Sequence, residues 1–344
     1  MRHSALFALP AILSRLTPKR RRSLAIDTVV PLSIDEMPTV RLGVLEALGE
    51  VLHTFHKDDG GPPEEILRLF LGRAEDRRVR EEQQPPQPPP SWGEQFTPFT
   101  PHVRDTDTTA SPVQENLSPL ESFYQDSARP LICAFNYPAV ALTLGRARWG
   151  ELQELYVALS QDPDVKVRRT LAASLGELAK IIGPDNAQRD LVPVWWDSIN
   201  CKEDGEVRLK AIECVGTFVD VLDERKVEVA EQLLTVWKDG TLTGWRERQV
   251  AVGAVVDFIR SVSATQPGVV QGLLKVALED GVAGVREAAI SIVSENMFPA
   301  SMILIKPICR CHKFGKRLII GRIFWMSFRQ IFVTSPNHHC FVIE

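Results

Sequence analysis

The clearest hydrophobic pattern in this 344-residue chain lies between residues 165 and 182. Apolar residues recur there at helical spacing, at Val167, Leu171, Leu175, Leu178 and Ile182. Such a stripe predicts an amphipathic α-helix that buries one face. Small residues between the apolar positions allow a neighbouring helix to approach closely. Gly183 and Pro184 then predict the end of the helix.

A second apolar pattern precedes this helix. Residues 149–160 carry Leu152, Leu155, Tyr156 and Leu159 at helical spacing. Asp162 and Pro163 follow and predict a tight turn between the two helices. Residues 191–199 and 227–240 show a similar pattern before the next two turns. The sequence therefore predicts repeating units of one helix, a turn and a second helix.

The turn into the second helix of each unit recurs along the chain. It is marked by an arginine at Arg2, Arg41, Arg80, Arg168, Arg208, Arg246 and Arg286. The intervals between these arginines are 39, 39, 88, 40, 38 and 40 residues. A period near 40 residues is typical of solenoids that stack helix pairs. We therefore predict an all-α solenoid with an insertion inside the one long interval.

Composition locates the insertion and divides the chain. Residues 81–130 contain 10 of the 24 prolines. Such a segment can bury too little apolar surface to offset the entropy of ordering. After residue 298 the period and the turn signature are lost. We predict N-terminal repeats at 1–81, a disordered Pro-rich linker at 82–121, repeats at 122–298 and a divergent basic tail at 299–344.

Charge is distributed unevenly along the chain. Residues 1–22 hold six basic and no acidic residues, residues 300–344 hold seven basic and one acidic, and residues 23–299 hold 27 basic and 43 acidic. An acidic centre argues against nucleic acid as the main partner. No run of about twenty apolar residues predicts a transmembrane helix, so we expect no membrane partner.

The sequence also bears on location. No N-terminal stretch has the pattern of a signal peptide, and the six cysteines form no regular disulfide framework. We therefore expect a cytoplasmic protein that is not secreted. The basic run Lys19–Arg22 is either a nuclear address or a solvated loop between units.

Residues 160–179 resemble a HEAT repeat. Asp162 lies six residues before Arg168, and the same spacing recurs at Asp35 and Arg41 and at Asp280 and Arg286. More narrowly, "FNYPAVALTLG" (135–145), residues 149–156 and residues 165–183 are similar to the subunit 1 family of protein phosphatase 4 regulatory proteins. The resemblance covers roughly residues 1–298 and points to a shortened relative.

This resemblance implies a specific fold and function. The fold would be a right-handed α-solenoid of HEAT-type helix pairs, interrupted by the Pro-rich insertion. In HEAT arrays such aspartates and arginines form a ladder between repeats, so a structural ladder is implied at Asp35, Arg41, Asp162, Arg168, Asp280 and Arg286. The partners implied are the protein phosphatase 4 catalytic subunit, a type 2A-like Ser/Thr phosphatase, and its substrates.

No catalytic constellation is apparent in the sequence. All seven histidines lie outside residues 149–297, and "HKDDGGPPEE" (56–65) lacks the Lys-Ser/Thr end of a phosphate-binding loop. We interpret His53 and His56 as structural. Cys309, Cys311, His312 and the 338–340 cluster have poor spacing for zinc. We therefore expect no enzyme activity, no cofactor and no metal.

Candidate partner-binding residues cluster near one turn. Trp245 takes the place of the valine before the repeat arginine in "GTLTGWRER" (240–248). We predict that Trp245, Arg246, Arg248 and Lys166 contact a partner, because tryptophan and arginine are frequent anchors of interfaces. Three other tryptophans, Trp195, Trp196 and Trp237, have helical spacing and are interpreted as core.

These observations favour a non-catalytic scaffold that binds the phosphatase catalytic subunit and directs it to substrates. One alternative is an importin-like HEAT adaptor, which is weakened by the short array and by the lack of an acidic loop suited to a small GTPase. Another is a truncated paralogue without function. An enzyme is the least favoured class, because the catalytic residues are missing.

Overall fold

A computed structural model describes residues 2–72 and 118–296. All regular elements in these two ranges are helical, with no strand among them. The first range forms α1 (Arg2–Leu13), α2 (Pro18–Ser33), α3 (Pro38–His53) and α4 (Glu64–Leu71). The second begins with α5 (Pro119–Tyr124), α6 (Arg129–Leu144), a short 3₁₀ turn (Arg146–Arg148), α7 (Trp149–Ser160) and α8 (Val165–Asn186). A π-helical turn (Ala187–Leu191) leads to α9 (Val192–Ile199), α10 (Gly205–Glu213), α11 (Val215–Val221), α12 (Lys226–Lys238), α13 (Trp245–Ser261), α14 (Pro267–Leu278) and α15 (Ala283–Asn296).

The helix pair predicted from the hydrophobic pattern is α7 and α8. Asp164 caps α8, with its carboxylate accepting the main-chain N–H of Lys166 at 2.8 Å. All five residues of the predicted apolar stripe are buried. The backbone leaves the helical conformation at Gly183, where φ is +78°. A second helical segment then runs from Pro184 to Asn186, so the first helix within α8 ends at Gly183, as the Gly-Pro pair predicts.

The helices pack in two layers within a compact unit that includes the described residues up to Ile290. In the first layer α1 contacts α3, α3 contacts α6, α6 contacts α8, α8 contacts α10 and α11, and these contact α13. In the second layer α2 contacts α4, and α12 contacts both α9 and α14. Every first-layer helix thus buries apolar residues against the next, as a stacked array requires.

The stack continues directly from the first described range into the second. Arg129, at the start of α6, donates to the carbonyl of Phe70 near the end of α4 at 2.7 Å. Helix α3 packs closely against α6. A Cβ added at Gly49 on α3 would lie 2.4 Å from the side chain of Asn136 on α6. The helix that follows α3 in the first layer is therefore α6, whereas the sequence assigns the next unit to Arg80, which lies outside the described residues.

The structure also bears on the predicted segment boundaries. Ser118 and Glu121 form a reciprocal capping box that starts α5 at Pro119, inside the predicted linker at 82–121. The rest of that linker and the predicted tail at 299–344 lie outside the described residues. None of the described helices is long and apolar enough to span a membrane.

The basic run Lys19–Arg22 lies in the first turns of α2 and is not a loop. Arg21 is buried, and its guanidinium donates to the carbonyls of Leu13 and Thr54 and to the carboxylate of Asp58 at 2.7 Å. These bonds join the end of α1 to the turns that follow α3. At least one arginine of this run therefore has a structural role that the sequence alone does not reveal.

Close packing of α3 on α6 can be tested with glycine substitutions. Gly49→Ala should lower the free energy of unfolding by about 1–3 kcal/mol, because the added methyl overpacks the contact with Asn136. Gly253→Ala is the matched control, since it also lies within a helix but has no atom within 4 Å of the added Cβ. That substitution should stabilise by about 0.5–1 kcal/mol through helix propensity. Urea unfolding that shows equal stabilisation by both would contradict the contact.

Candidate functional site

An arginine in the first turn of four first-layer helices and of α15 binds back to the preceding turn. It occupies the fourth position of its helix, at Arg41, Arg168, Arg208, Arg248 and Arg286. In Arg41, Arg168, Arg248 and Arg286, Nη1 donates to the main-chain carbonyl six residues earlier, at 2.8, 2.7, 2.9 and 2.6 Å respectively. Each of these arginines therefore holds its turn against its own helix. We call the row of turns preceding α8, α10, α13 and α15 the turn edge.

Three buried aspartates complete this arrangement. The carboxylates of Asp35, Asp162 and Asp280 accept the main-chain N–H two residues later, at 3.0, 2.9 and 2.8 Å. The repeat spacing of six residues thus brings each arginine to the main-chain carbonyl of its aspartate. Each aspartate carboxylate binds its own turn, and the carboxylates of Asp35 and Asp280 also accept an arginine of the preceding unit.

Ion pairs connect successive units along the turns. They join Arg2 to Asp35, Arg168 to Glu203, Arg169 to Asp204, Arg208 to Glu247 and Arg248 to Asp280. The hydrogen bond from Arg169, at 2.7 Å, lowers the pKa of Asp204 below its usual range, with main-chain hydrogen bonds adding to the effect. From α8 to α15 each turn is therefore linked to the next by at least one arginine and one carboxylate.

The pair between α10 and α13 is the most deeply buried of these links. Arg208 Nη2 donates to Glu247 Oε1 at 2.8 Å, and the two side chains are only 7 % and 6 % exposed. Arg208 also donates to the hydroxyl of Thr243 and to the carbonyl of Cys201. Glu247 in turn accepts the main-chain N–H of Gly244 at 3.0 Å. A buried charge pair with these additional hydrogen bonds fixes the relative position of two units, although the buried Arg208 Nε has no hydrogen-bond partner.

The structure corrects the repeat register at α13. The sequence assigns Arg246 as the repeat arginine, with Trp245 in place of the preceding valine. Arg248 makes the equivalent carbonyl contacts, and Glu247 occupies the place held by Val167 in α8. The error arises because a buried glutamate replaces the valine of the signature. The helix caps Asp164, Asp204 and Gly244, each 40 residues apart, would have shown the correct register.

Trp245 and Arg246 are therefore free to face outward beside a cleft. Trp245 is 51 % exposed, and the Arg246 guanidinium lies 5.5 Å from the centre of its ring. The cleft has a volume of about 390 Å³ between the starts of α10 and α13. It is lined by Asp204, Gly205, Glu206, Leu209, Gly244, Trp245, Arg246 and Glu247. Asp204 and Glu247 are bound to arginines, so an aromatic ring beside the exposed Glu206 is what the cleft offers to an aliphatic or cationic side chain of a partner.

The other two predicted partner-binding residues occupy different positions. Lys166 is exposed in the first turn of α8, on the same edge but outside the cleft. Arg248 is held by the carbonyls of Leu242 and Thr243 and by Asp280, so its guanidinium is committed within the chain. The structure thus brings together two of the four predicted residues.

The remaining tryptophans of the repeats lie in or near the core. Trp195 and Trp237 are buried, and the indole N–H of Trp195 donates to the carbonyl of Ala211 at 2.9 Å. Trp196 is half-buried, with the Arg225 guanidinium 5.4 Å from its ring centre. Among the tryptophans of the described ranges, only Trp245 therefore presents a large exposed surface.

The candidate metal ligands have a different arrangement from a metal site. The rings of His53 and His56 stack in parallel at 4.6 Å, and His56 Nδ1 lies 2.8 Å from the carbonyl of His53. Within residues 2–72 and 118–296 no three His, Cys, Asp or Glu side chains converge as metal ligands. The cluster from Cys309 to Cys340 lies outside these ranges. The carboxylates of the turn edge are bound instead to arginines and main-chain N–H groups.

Mutation can distinguish the buried ion pair from an exposed one. Arg208→Ala should cost about 3–5 kcal/mol of unfolding free energy, because it leaves Glu247 buried without a partner. Arg168→Ala should cost about 1 kcal/mol, since its partner Glu203 is 73 % exposed. The double variant Arg208→Met/Glu247→Leu should recover most of the first loss. Equal, small costs by chemical denaturation would contradict a buried pair.

Part of the turn edge lies in a segment that is similar to known proteins. Residues 133–236 match the family model described as protein phosphatase 4 regulatory subunit 1 middle domain. The human and mouse serine/threonine-protein phosphatase 4 regulatory subunit 1 are each 34 % identical to this chain over 167 residues. That match covers 47 % of this chain and 17 % of each relative.

The family match includes two of the four turns of the edge, those that precede α8 and α10. It runs from α6 into α12 and therefore contains the links from Arg168 and Arg169 and the start of α10. Trp245 and Arg246 lie beyond its end. The two comparisons confirm the resemblance found in the sequence: over about half of its length, the chain is similar to protein phosphatase 4 regulatory subunit 1.

Proposed function

We propose that the chain is a non-catalytic regulatory subunit that binds the catalytic subunit of protein phosphatase 4 and directs it to substrates. The observation that carries this proposal is the family match over residues 133–236, which contains the linked turns of α8 and α10. The relatives are named as regulatory subunits, which supports a role without chemistry of its own.

The proposed architecture is a right-handed solenoid of HEAT-type helix pairs. Support comes from the two layers, from the caps spaced 40 residues apart and from the repeated arginine-to-carbonyl bond. In such an array the turns of successive units line one edge. A row of turns held by buried and half-buried ion pairs would present a partner with a surface that needs little ordering on binding.

The proposed contact centres on the cleft beside Trp245. Trp245 and Arg246 project from this cleft without the structural commitments of Arg208 and Arg248. We infer that the catalytic subunit inserts a side chain against the Trp245 ring, and that Lys166 adds a peripheral charge contact. The scaffold would then act by position, holding the phosphatase at a fixed distance from a substrate bound elsewhere on the array.

The proposed location is the cytoplasm. The guanidinium of Arg21 is engaged in hydrogen bonds within the fold. This weakens the interpretation of Lys19–Arg22 as a nuclear localisation signal. Imaging of a fluorescent fusion tests this. Nuclear accumulation that disappears in Lys19→Ala/Arg20→Ala would overturn it.

Binding to the purified protein phosphatase 4 catalytic subunit tests the proposed function. Trp245→Ala/Arg246→Ala should weaken binding at least about ten-fold, as expected for interface anchors, and should leave the melting temperature unchanged because both side chains are exposed. Biolayer interferometry measures the affinity. Phe7→Ala is the matched control, since it removes an equally exposed aromatic side chain on α1 and should bind normally.

Two results would count against the proposal. No binding by the unaltered chain would remove the regulatory role and favour a paralogue without function. Normal binding by Trp245→Ala/Arg246→Ala would keep the role but move the contact away from the cleft.

A further inference from the structure

The outer face of α6 exposes two large apolar side chains in line. Phe135 is 76 % exposed and Leu142 is 54 % exposed. They are seven residues apart, which places them two turns apart on the same face of the helix. Half-buried Ala139 lies between them. Phe135 is the most exposed large apolar residue of the described ranges, so core packing does not account for it.

No charge interrupts this face. Residues 130–144 contain no Asp, Glu, Lys or Arg. The sides of α6 are occupied by α3 and α8, through the approach of Gly49 to Asn136 and through contacts with α8. Within the described ranges, the face with Phe135 and Leu142 is the one that these helices leave exposed. An uncharged, partly aromatic face between two packed helices is typical of a surface that is covered by a partner.

The two neighbours of this face differ in charge. On α3, Glu46 and Glu50 are exposed one turn apart, and Glu50 has no ion-pair partner within the described ranges. Glu46 lies 4.0 Å from His3 Nε2. On α8, Glu177 is paired with Lys180 at 3.0 Å. The neighbouring helix α3 therefore carries two exposed acidic side chains, whereas Glu177 on the neighbouring helix α8 is neutralised by a lysine.

We propose that the outer face of α6 docks an amphipathic, basic α-helix of a partner protein. The partner helix would place apolar residues with a spacing of three or four on Phe135, Ala139 and Leu142. Its lysines or arginines would lie along the edge that faces Glu46 and Glu50. The site is separate from the turn edge and does not depend on the phosphatase proposal. A second copy of the chain fits poorly, because a two-fold contact would bring the acidic side chains of α3 together.

Designed peptides test this with the full chain. We would use two fluorescent helical peptides of about 18 residues with the same stripe of leucines. The residues beside the stripe are Lys in one peptide and Glu in the other. Fluorescence anisotropy should show that the Lys peptide binds at least about ten-fold more tightly than the Glu peptide. The variant Phe135→Ala/Leu142→Ala should bind the Lys peptide about ten-fold more weakly or worse. Val157→Ala on α7, also an exposed apolar residue, is the matched control and should bind normally.

The acidic side chains of α3 supply an independent test. Glu46→Lys/Glu50→Lys should reverse the preference, so that the Glu peptide binds more tightly. The proposal is overturned if both peptides bind equally, if neither binds, or if Val157→Ala loses as much as the α6 variant. Sedimentation that shows a dimer abolished by Phe135→Ala/Leu142→Ala would also overturn it, since the occupant would then be a second copy.

Discussion

The arginine at the fourth position of the first-layer helices is the interaction on which the turn edge depends. Its guanidinium donates hydrogen bonds to the last carbonyls of the preceding turn, which have no partner within a helix of their own. Its remaining N–H groups are then free to reach a carboxylate of the next unit, as Arg168 and Arg248 do. One side chain thus holds a turn and joins two units. A regular edge results, because the same bond recurs in unit after unit.

Variation in burial along this edge separates structure from recognition. Where Glu247 replaces a valine, the link becomes a buried ion pair, and Trp245 and Arg246 are exposed at the first two positions of the same helix. Arg168, by contrast, pairs with an exposed Glu203 and contributes less to stability. The part of the turn edge that is held by the most deeply buried ion pair therefore also carries an exposed aromatic side chain. This arrangement suits a binding site, because a rigid base reduces the entropy lost on association.

Much of the architecture follows from the sequence, while individual contacts do not. The apolar stripe of α8 and the 40-residue period predicted helices that the structure contains, because helical spacing directly encodes a buried face. The sequence could not show that α6 follows α3, because α6 lacks the arginine signature and the contact depends on Gly49. It placed Arg246 in the wrong register, because a buried glutamate is recognised only by its distant partner Arg208. The role of Arg21 is not visible in the sequence for the same reason, since two of its partners, Thr54 and Asp58, lie 33 and 37 residues away along the chain.

The proposed function requires the protein phosphatase 4 catalytic subunit to bind at the turn edge. Hydrogen–deuterium exchange of the chain, with and without that subunit, reports on this contact residue by residue. We expect slower exchange on binding in the turns at residues 201–206 and 239–246, with no change in the second-layer helices α12 and α14. Protection confined to α12 and α14, or none in either turn, would contradict it.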